Sequence, residues 1–244
     1  MILKKFDKWL LAGILAFTPY LSINATASEN TFDDKAEQSS DFSGRRKFKP
    51  FDRRPQLQYQ INTLLVGNTA DFRDLAYFKL QGFSSEISDP AQFSYALALI
   101  KIDKQIGELI GSFFPNDQEV AVKFQKLFTE FNTRGIEFVV ALSELGIVIP
   151  QLKVERAAWI AQAKVLAKAL GEINPEQLDV KTATRLLVKY TNLLADMCIA
   201  LNNNNYPEAN NLFTESRFGT IVNLGALLTL SLLDVQTDGR CSNR

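Results

Sequence analysis

The amino-acid sequence predicts an all-α protein, an elongated antiparallel bundle of about six helices. Three observations support this class. Apolar residues recur at three- and four-residue spacing from residue 56 onward, helix-start signals precede several of these stretches, and no segment shows the alternation of a half-buried strand. The chain has 244 residues, 46% of them hydrophobic, which is enough for one domain with a sizeable core.

Residues 1–27 have the three parts of a secretory signal peptide. Three lysines make the start positive, an apolar core covers residues 9–17, and residues 25–27 (Ala-Thr-Ala) form a small-x-small cleavage site. Ser28 is then the first residue of the mature chain. An uncleaved membrane anchor is the alternative, but the core is short for a span of about 20 residues. We therefore expect an exported protein, periplasmic or secreted, in a bacterial host.

Residues 28–55 lack apolar periodicity and are predicted to be a disordered polar and basic linker. The second half of this segment concentrates six basic residues beside two aromatic ones. It could make a weak contact with an anionic surface such as a membrane, although a solvated linker is the simpler interpretation. The candidate contact residues are Arg45, Arg46, Lys47, Lys49, Arg53 and Arg54.

Residues 56–236 are predicted to form the helical-bundle domain, and residues 237–244 a flexible C-terminal tail. Because the predicted loops are short, consecutive helices should run antiparallel. The predicted helices cover residues 57–81, 90–113, 117–146, 150–172, 175–202 and 207–235.

Capping residues and prolines mark where these helices begin. Residues 89–92 (Asp-Pro-Ala-Gln) and 174–177 (Asn-Pro-Glu-Gln) each place a capping side chain before Pro at the first helical position. Residues 116–119 form a third capping box, and Pro150 and Pro207 indicate two further starts.

The last predicted helix is apolar on nearly every side between residues 218 and 233. Such a helix lies either at the centre of a bundle or in a membrane. Sixteen residues span about 24 Å, less than the roughly 30 Å of a bilayer core. We therefore expect this helix to be central in the bundle, with membrane association as the alternative.

An internal repeat of 59 to 60 residues is visible when the chain is compared with itself. Residues 113–116 align with residues 173–176, so that each unit is a helix, a proline-containing turn and a second helix. Duplicated helical hairpins are the expected origin of the bundle. Three aromatic residues, Phe72, Phe131 and Tyr190, recur at 59-residue steps and should share one buried layer.

Residues 64–235 resemble an uncharacterised bacterial family of all-helical proteins. The resemblance rests on residues 126–131 (Lys-Leu-Phe-Thr-Glu-Phe), residues 186–191 (Leu-Leu-Val-Lys-Tyr-Thr), the Gln-Ile-Gly at 105–107 and the Asn-Pro at 174–175. The family's pattern has histidine in three helix motifs. In this chain Phe72, Phe131 and Tyr190 stand at those places, which implies that any histidine-dependent site of the family is lost. The resemblance implies no established activity.

The absence of histidine from the sequence removes the commonest general base and metal ligand. Nucleophilic Ser-His-Asp sites and histidine-containing di-iron sites are excluded within the chain. Catalysis or metal binding by carboxylates alone stays open, although the Asp and Glu residues are expected on solvated helix faces. Of the two cysteines, Cys198 should be a small buried core residue, and Cys241 free or paired between chains. A disulfide between Cys198 and Cys241 is the alternative, and it requires the tail to fold back.

These observations favour an exported, non-enzymatic helical-bundle protein that binds an unidentified protein or small ligand of the envelope or extracellular space. No catalytic, cofactor-binding or metal-binding residue is predicted. A balance of 27 basic and 27 acidic residues argues against a nucleic-acid partner. The alternatives are a carboxylate-only enzyme or metal-binding bundle, and a membrane-associated protein held by residues 218–233 or by the basic segment 45–54.

Overall fold

A computed structural model of the protein describes residues 54–81, 90–145 and 149–237. These residues are helical without any strand, which confirms the predicted all-α bundle. The predicted signal peptide, the predicted linker up to residue 53 and residues 238–244 of the predicted tail lie outside the described residues. Thr237, the first residue of the predicted tail, is the last residue of the final helix. The helices are α1 (Arg54–Leu80), α2 (Pro90–Gly111), α3 (Glu119–Leu145), α4 (Ile149–Gly171), α5 (Val180–Asn202), α6 (Tyr206–Thr214) and α7 (Val222–Thr237).

A π-helical segment, Glu215–Ile221, joins α6 to α7 without a break. We refer to α6, this π segment and α7 together as the C-terminal helix. A π segment widens the helix by one residue per turn, and its position was not predicted from the apolar pattern.

Most helix starts follow the predicted signals. Helix α2 begins at Pro90, α4 has proline as its second residue, and α6 is capped by Asn205 with proline in its first turn. Helix α1 starts at Arg54 rather than at residue 57, so the last two residues of the predicted linker, 54 and 55, belong to the helix.

The predicted start of the fifth helix at residue 175 is wrong. The Asn174 side chain accepts a hydrogen bond from the Glu176 backbone at 3.2 Å, which closes a turn instead of capping a helix. Leu178 is fully buried and fixes this turn on the core. Asp179 is the true N-cap of α5, because its Oδ1 accepts from the Thr182 backbone N–H at 2.8 Å.

Helices α1 and α5 occupy the centre of the packing. Helix α1 packs on α2, α3, α5, the π segment and α7, and α5 packs on α1, α3, α4, α6 and the π segment. The expectation that the last helix is central is therefore wrong. Its apolar composition is explained by its contact with α1, where Gly225 lies against the side chains of Asn62 and Ile61.

Similar turns connect the two helices within each hairpin, α2 to α3 and α4 to α5. A Cβ on Gly111 would lie 2.6 Å from the Ala121 side chain, and a Cβ on Gly171 would lie 2.6 Å from Val180 Cα, so both turns need glycine for close approach. The backbone hydrogen bonds also match at sixty-residue intervals. The bond from Phe113 N to Ile110 O (3.1 Å) corresponds to the bond from Ile173 N to Leu170 O (3.3 Å). The bond from Asp117 N to Phe114 O (2.9 Å) corresponds to the bond from Gln177 N to Asn174 O (3.2 Å).

Candidate functional site

The three aromatic residues that recur at 59-residue steps lie together in the core. Phe72, Phe131 and Tyr190 are exposed by only 1%, 2% and 3%, and they come from α1, α3 and α5. The rings of Phe131 and Tyr190 stack with centroids 6.0 Å apart and an interplanar angle of 22°. The two aromatic residues of the α2–α3 and α4–α5 hairpins therefore stack on each other.

Trp159 of α4 completes this layer and was not singled out from the sequence. Its ring lies 5.3 Å from Phe72 and 5.7 Å from Phe131, between centroids. Gly135 of α3 makes room for it, because a Cβ at that position would lie 2.7 Å from both Phe72 Cε2 and Trp159 Cζ2. We call Phe72, Phe131, Phe138, Trp159 and Tyr190 the aromatic layer.

The Tyr190 hydroxyl finds the hydrogen-bond partner that its burial requires. It lies 2.8 Å from Thr69 Oγ1, and Thr69 in turn donates to the Leu65 carbonyl at 2.9 Å. Since the only hydroxyl hydrogen of Thr69 is used there, Tyr190 is the donor of the pair. Burial raises the pKa of Tyr190, which keeps the phenol protonated.

A buried carboxyl cluster lies next to the aromatic layer. Asp103 of α2 is only 1% exposed, and its Oδ1 accepts from Asn68 Nδ2 at 3.0 Å and from Asn132 Nδ2 at 2.8 Å. Thr129 adds a further side-chain hydrogen bond. Helices α1, α2 and α3 are thus joined through one carboxyl group. We call Asn68, Asp103, Thr129 and Asn132 the carboxyl cluster.

Asp103 corrects the expectation that all acidic residues lie on solvated helix faces. Burial raises the pKa of its carboxyl group from 3.8 to about 7, and the hydrogen bonds from Asn132, Thr129 and Asn68 oppose this only in part. The sequence did carry a signal. Asp103 interrupts the buried stripe of Leu99, Ile106 and Ile110 at helical spacing.

An open groove of about 570 Å³ lies on the outer surface of α4 and α5. Four of its nine lining side chains are cationic and one is acidic, so we call it the basic groove. None of its residues was singled out as a site from the sequence. Its lining residues are Lys164 of α4 and Lys181, Thr184, Arg185, Val188, Lys189, Asn192, Leu193 and Asp196 of α5.

Two of the charged lining residues are already paired. Lys189 Nζ lies 2.8 Å from Glu215 Oε1 of the π segment, and Asp196 Oδ1 lies 2.7 Å from Arg156 Nη1. Hydrogen bonds from Thr182 lower the pKa of Asp179, and the neighbouring Lys181 adds a smaller effect in the same direction. Lys164 and Arg185 are exposed and form no ion pair with any residue in the described part of the chain.

The structure describes only some of the remaining candidate residues, which are those of the basic segment 45–54 and the two cysteines. Arg54 is exposed at the first residue of α1, and the other five residues of the basic segment, like Cys241, lie outside the described ranges. Cys198 is a free, fully buried thiol, as expected for a core residue, and burial raises its pKa. Burial therefore disfavours the reactive thiolate.

Across residues 54–81, 90–145 and 149–237, no three His, Cys, Asp or Glu side chains are grouped closely enough to hold a metal ion. One helix, Tyr206–Val235, is long and apolar enough to cross a membrane, and half of its most apolar stretch is buried inside the protein. Comparison with known proteins adds no relative, because no family model, curated protein or solved structure matches the chain.

Proposed function

We propose that this chain is an exported, non-enzymatic helical-bundle protein that binds an anionic partner of the envelope or extracellular space through the basic groove. The observation that carries this proposal is the excess of positive charge in a concave surface. Lys164 and Arg185 face solvent there without an ion pair to the residues that the structure describes. Exposed, unmatched cations attract anionic partners and increase the rate of encounter.

The buried polar groups give little support to a carboxylate-only enzyme. Catalysis by carboxylates needs two of them flanking an accessible substrate. Asp103 is surrounded by two amides and a hydroxyl, and it is closed off from solvent. Its contacts are those of a structural link between three helices. The aromatic layer supports the further proposal that the positions of Phe72, Phe131 and Tyr190 serve packing in this chain.

Membrane association through the C-terminal helix has one observation in its favour, the length of its apolar stretch. Packing explains that stretch equally well. Leu224, Leu228 and Leu232 are buried, and Phe218 is the one large apolar side chain of residues 218–233 that is mostly exposed, at 59%. We therefore propose a core role for this helix.

The proposal is tested by recovering the mature protein from the envelope fraction of its own cell, in low and high salt. The double variant Lys164→Glu/Arg185→Glu should lose the partner that the wild-type protein retains, because two attractive charges become repulsive. The control Lys101→Glu/Lys104→Glu reverses two exposed charges on α2, which packs on α1 and α3. It should retain the partner. Equal retention by all three proteins at low salt would contradict the proposal.

A further inference from the structure

The cations of the basic groove are arranged as a helical row. Lys181, Arg185 and Lys189 follow one another at four-residue steps on α5, which corresponds to about 6 Å per step along the helix axis. Lys164 of α4 adds a fourth positive charge beside the row. Carboxylates placed at three- or four-residue spacing on another helix have the same repeat.

The molecule already contains one example of the matching contact. Glu215 is the first residue of the π segment, which packs alongside α5, and its carboxylate lies 2.8 Å from Lys189 Nζ. A carboxylate on a neighbouring helix therefore reaches the end of the row directly. Arg185 and Lys164 are left for a partner that approaches from solvent.

Most of the groove's surface is aliphatic. It is lined by Val188, the nearly buried Leu193 and the aliphatic stems of the lysine and arginine side chains, and the nine lining residues include no aromatic side chain. Surfaces that insert into lipid use Trp, Phe and Leu as anchors. An aliphatic floor without aromatic anchors, beside a regular row of cations, suits the side of a helix better than a flat lipid surface.

We infer that the basic groove receives a helical segment of another protein, with carboxylates at three- or four-residue spacing facing the cations and a small apolar residue facing Val188. The groove extends from Lys181 to Asp196, about 22 Å along α5. A partner helix of about 15 residues covers this length. The inference rests on the proposed function and names the class of partner.

The test uses a synthetic 16-residue peptide with glutamates at four-residue spacing on one face and alanine or leucine between them. Its binding to the mature protein is measured by fluorescence anisotropy. The peptide should bind the wild-type protein at least tenfold more tightly than the Lys164→Glu/Arg185→Glu variant. The Lys101→Glu/Lys104→Glu control should bind like the wild type. Val188→Asp should also weaken binding, since it places a carboxylate against the peptide's own.

Three results would overturn the inference. A scrambled peptide of the same composition that binds equally well would show that only net charge is recognised. Binding to phosphatidylglycerol vesicles without binding to the peptide would identify a lipid surface instead. Failure of the peptide to bind, while the envelope partner still depends on Lys164 and Arg185, would reject the helical partner and leave the proposed function standing. If retention of the envelope partner does not depend on Lys164 and Arg185 either, both proposals fail.

Discussion

Asp103 carries a carboxyl group that is buried in the core, whereas aspartate side chains usually lie exposed to solvent. A carboxyl group that is buried without a cation prefers its protonated form, because desolvation penalises the charge. The folded state therefore binds this proton more tightly than the unfolded state does. The contribution of Asp103 to the free energy of unfolding is largest below pH 3.8 and decreases as the pH rises toward about 7.

Asp103→Asn should remove this pH dependence. The change in pKa from 3.8 to about 7 corresponds to roughly 4 kcal/mol as an upper bound. The variant should match the wild type near pH 4 and be more stable at pH 8, since asparagine keeps an acceptor for Asn68 and Asn132 without the charge. Urea unfolding at several pH values measures this difference, with the exposed Glu144→Gln as the control. A difference that does not change with pH would contradict the account of Asp103.

Substitution of Phe131 tests whether packing in the aromatic layer stabilises the fold. Truncation to alanine removes contacts with Trp159 and Tyr190 and should lower the free energy of unfolding by roughly 3–5 kcal/mol. Val122→Ala on the same helix is the control, because Val122 is 66% exposed and should change stability by less than about 0.5 kcal/mol. An unchanged melting temperature for Phe131→Ala would contradict the layer's packing role.

At the scale of elements, helix starts with a cap and a proline were predictable because their signals are local. The start of α5 was not, because the Asn-Pro pair closes a turn whose stability depends on burial of Leu178, a tertiary effect. The centre of the bundle was also missed. A helix that is apolar all round looks central in the sequence, yet α1 and α5 contact more elements than α7 does. Helix α1 does so while presenting polar side chains such as Asn68 and Thr69 to buried partners.

Two glycine-to-alanine variants should change the stability of the protein differently, because the space around the two glycines differs. Gly135→Ala should lower stability by about 1–3 kcal/mol, because the added methyl group meets the buried rings of Phe72 and Trp159. Gly219→Ala should instead be neutral or stabilising by up to about 1 kcal/mol, since its nearest neighbour, Glu215 Cγ, lies 3.5 Å away and alanine favours helix. Thermal unfolding of the two variants measures both effects. If Gly135→Ala is as stable as Gly219→Ala, the tight packing of the aromatic layer is wrong.

At the scale of the whole molecule, the fold class and the burial of Phe72, Phe131 and Tyr190 could be predicted from sequence spacing, whereas the carboxyl cluster and the basic groove could not. The carboxyl cluster forms from three helices and the basic groove from two, so no single stretch of sequence shows either one. The spacing of Lys181, Arg185 and Lys189 was visible, but exposed charges at that spacing are common on helices. Only the position of Lys164 beside them distinguishes a groove from an ordinary solvated face.

Export is the other property of the whole chain. The charged, apolar and small-residue parts of residues 1–27 predict a mature N-terminus at Ser28. Intact-mass measurement of the protein from the producing cell checks this prediction. Recovery of the uncleaved chain in the membrane pellet would contradict it and favour a membrane anchor.

The most direct test of the binding role is photo-crosslinking inside the producing cell. A photoreactive residue placed at Val188 in the basic groove should form one defined adduct, and that adduct should disappear when Lys164 and Arg185 are changed to glutamate. The same residue placed at the exposed Val122 of α3 should give no such adduct. Adducts of equal yield at Val188 and Val122, or an adduct at Val188 that survives the charge reversal, would contradict a partner held by the basic groove.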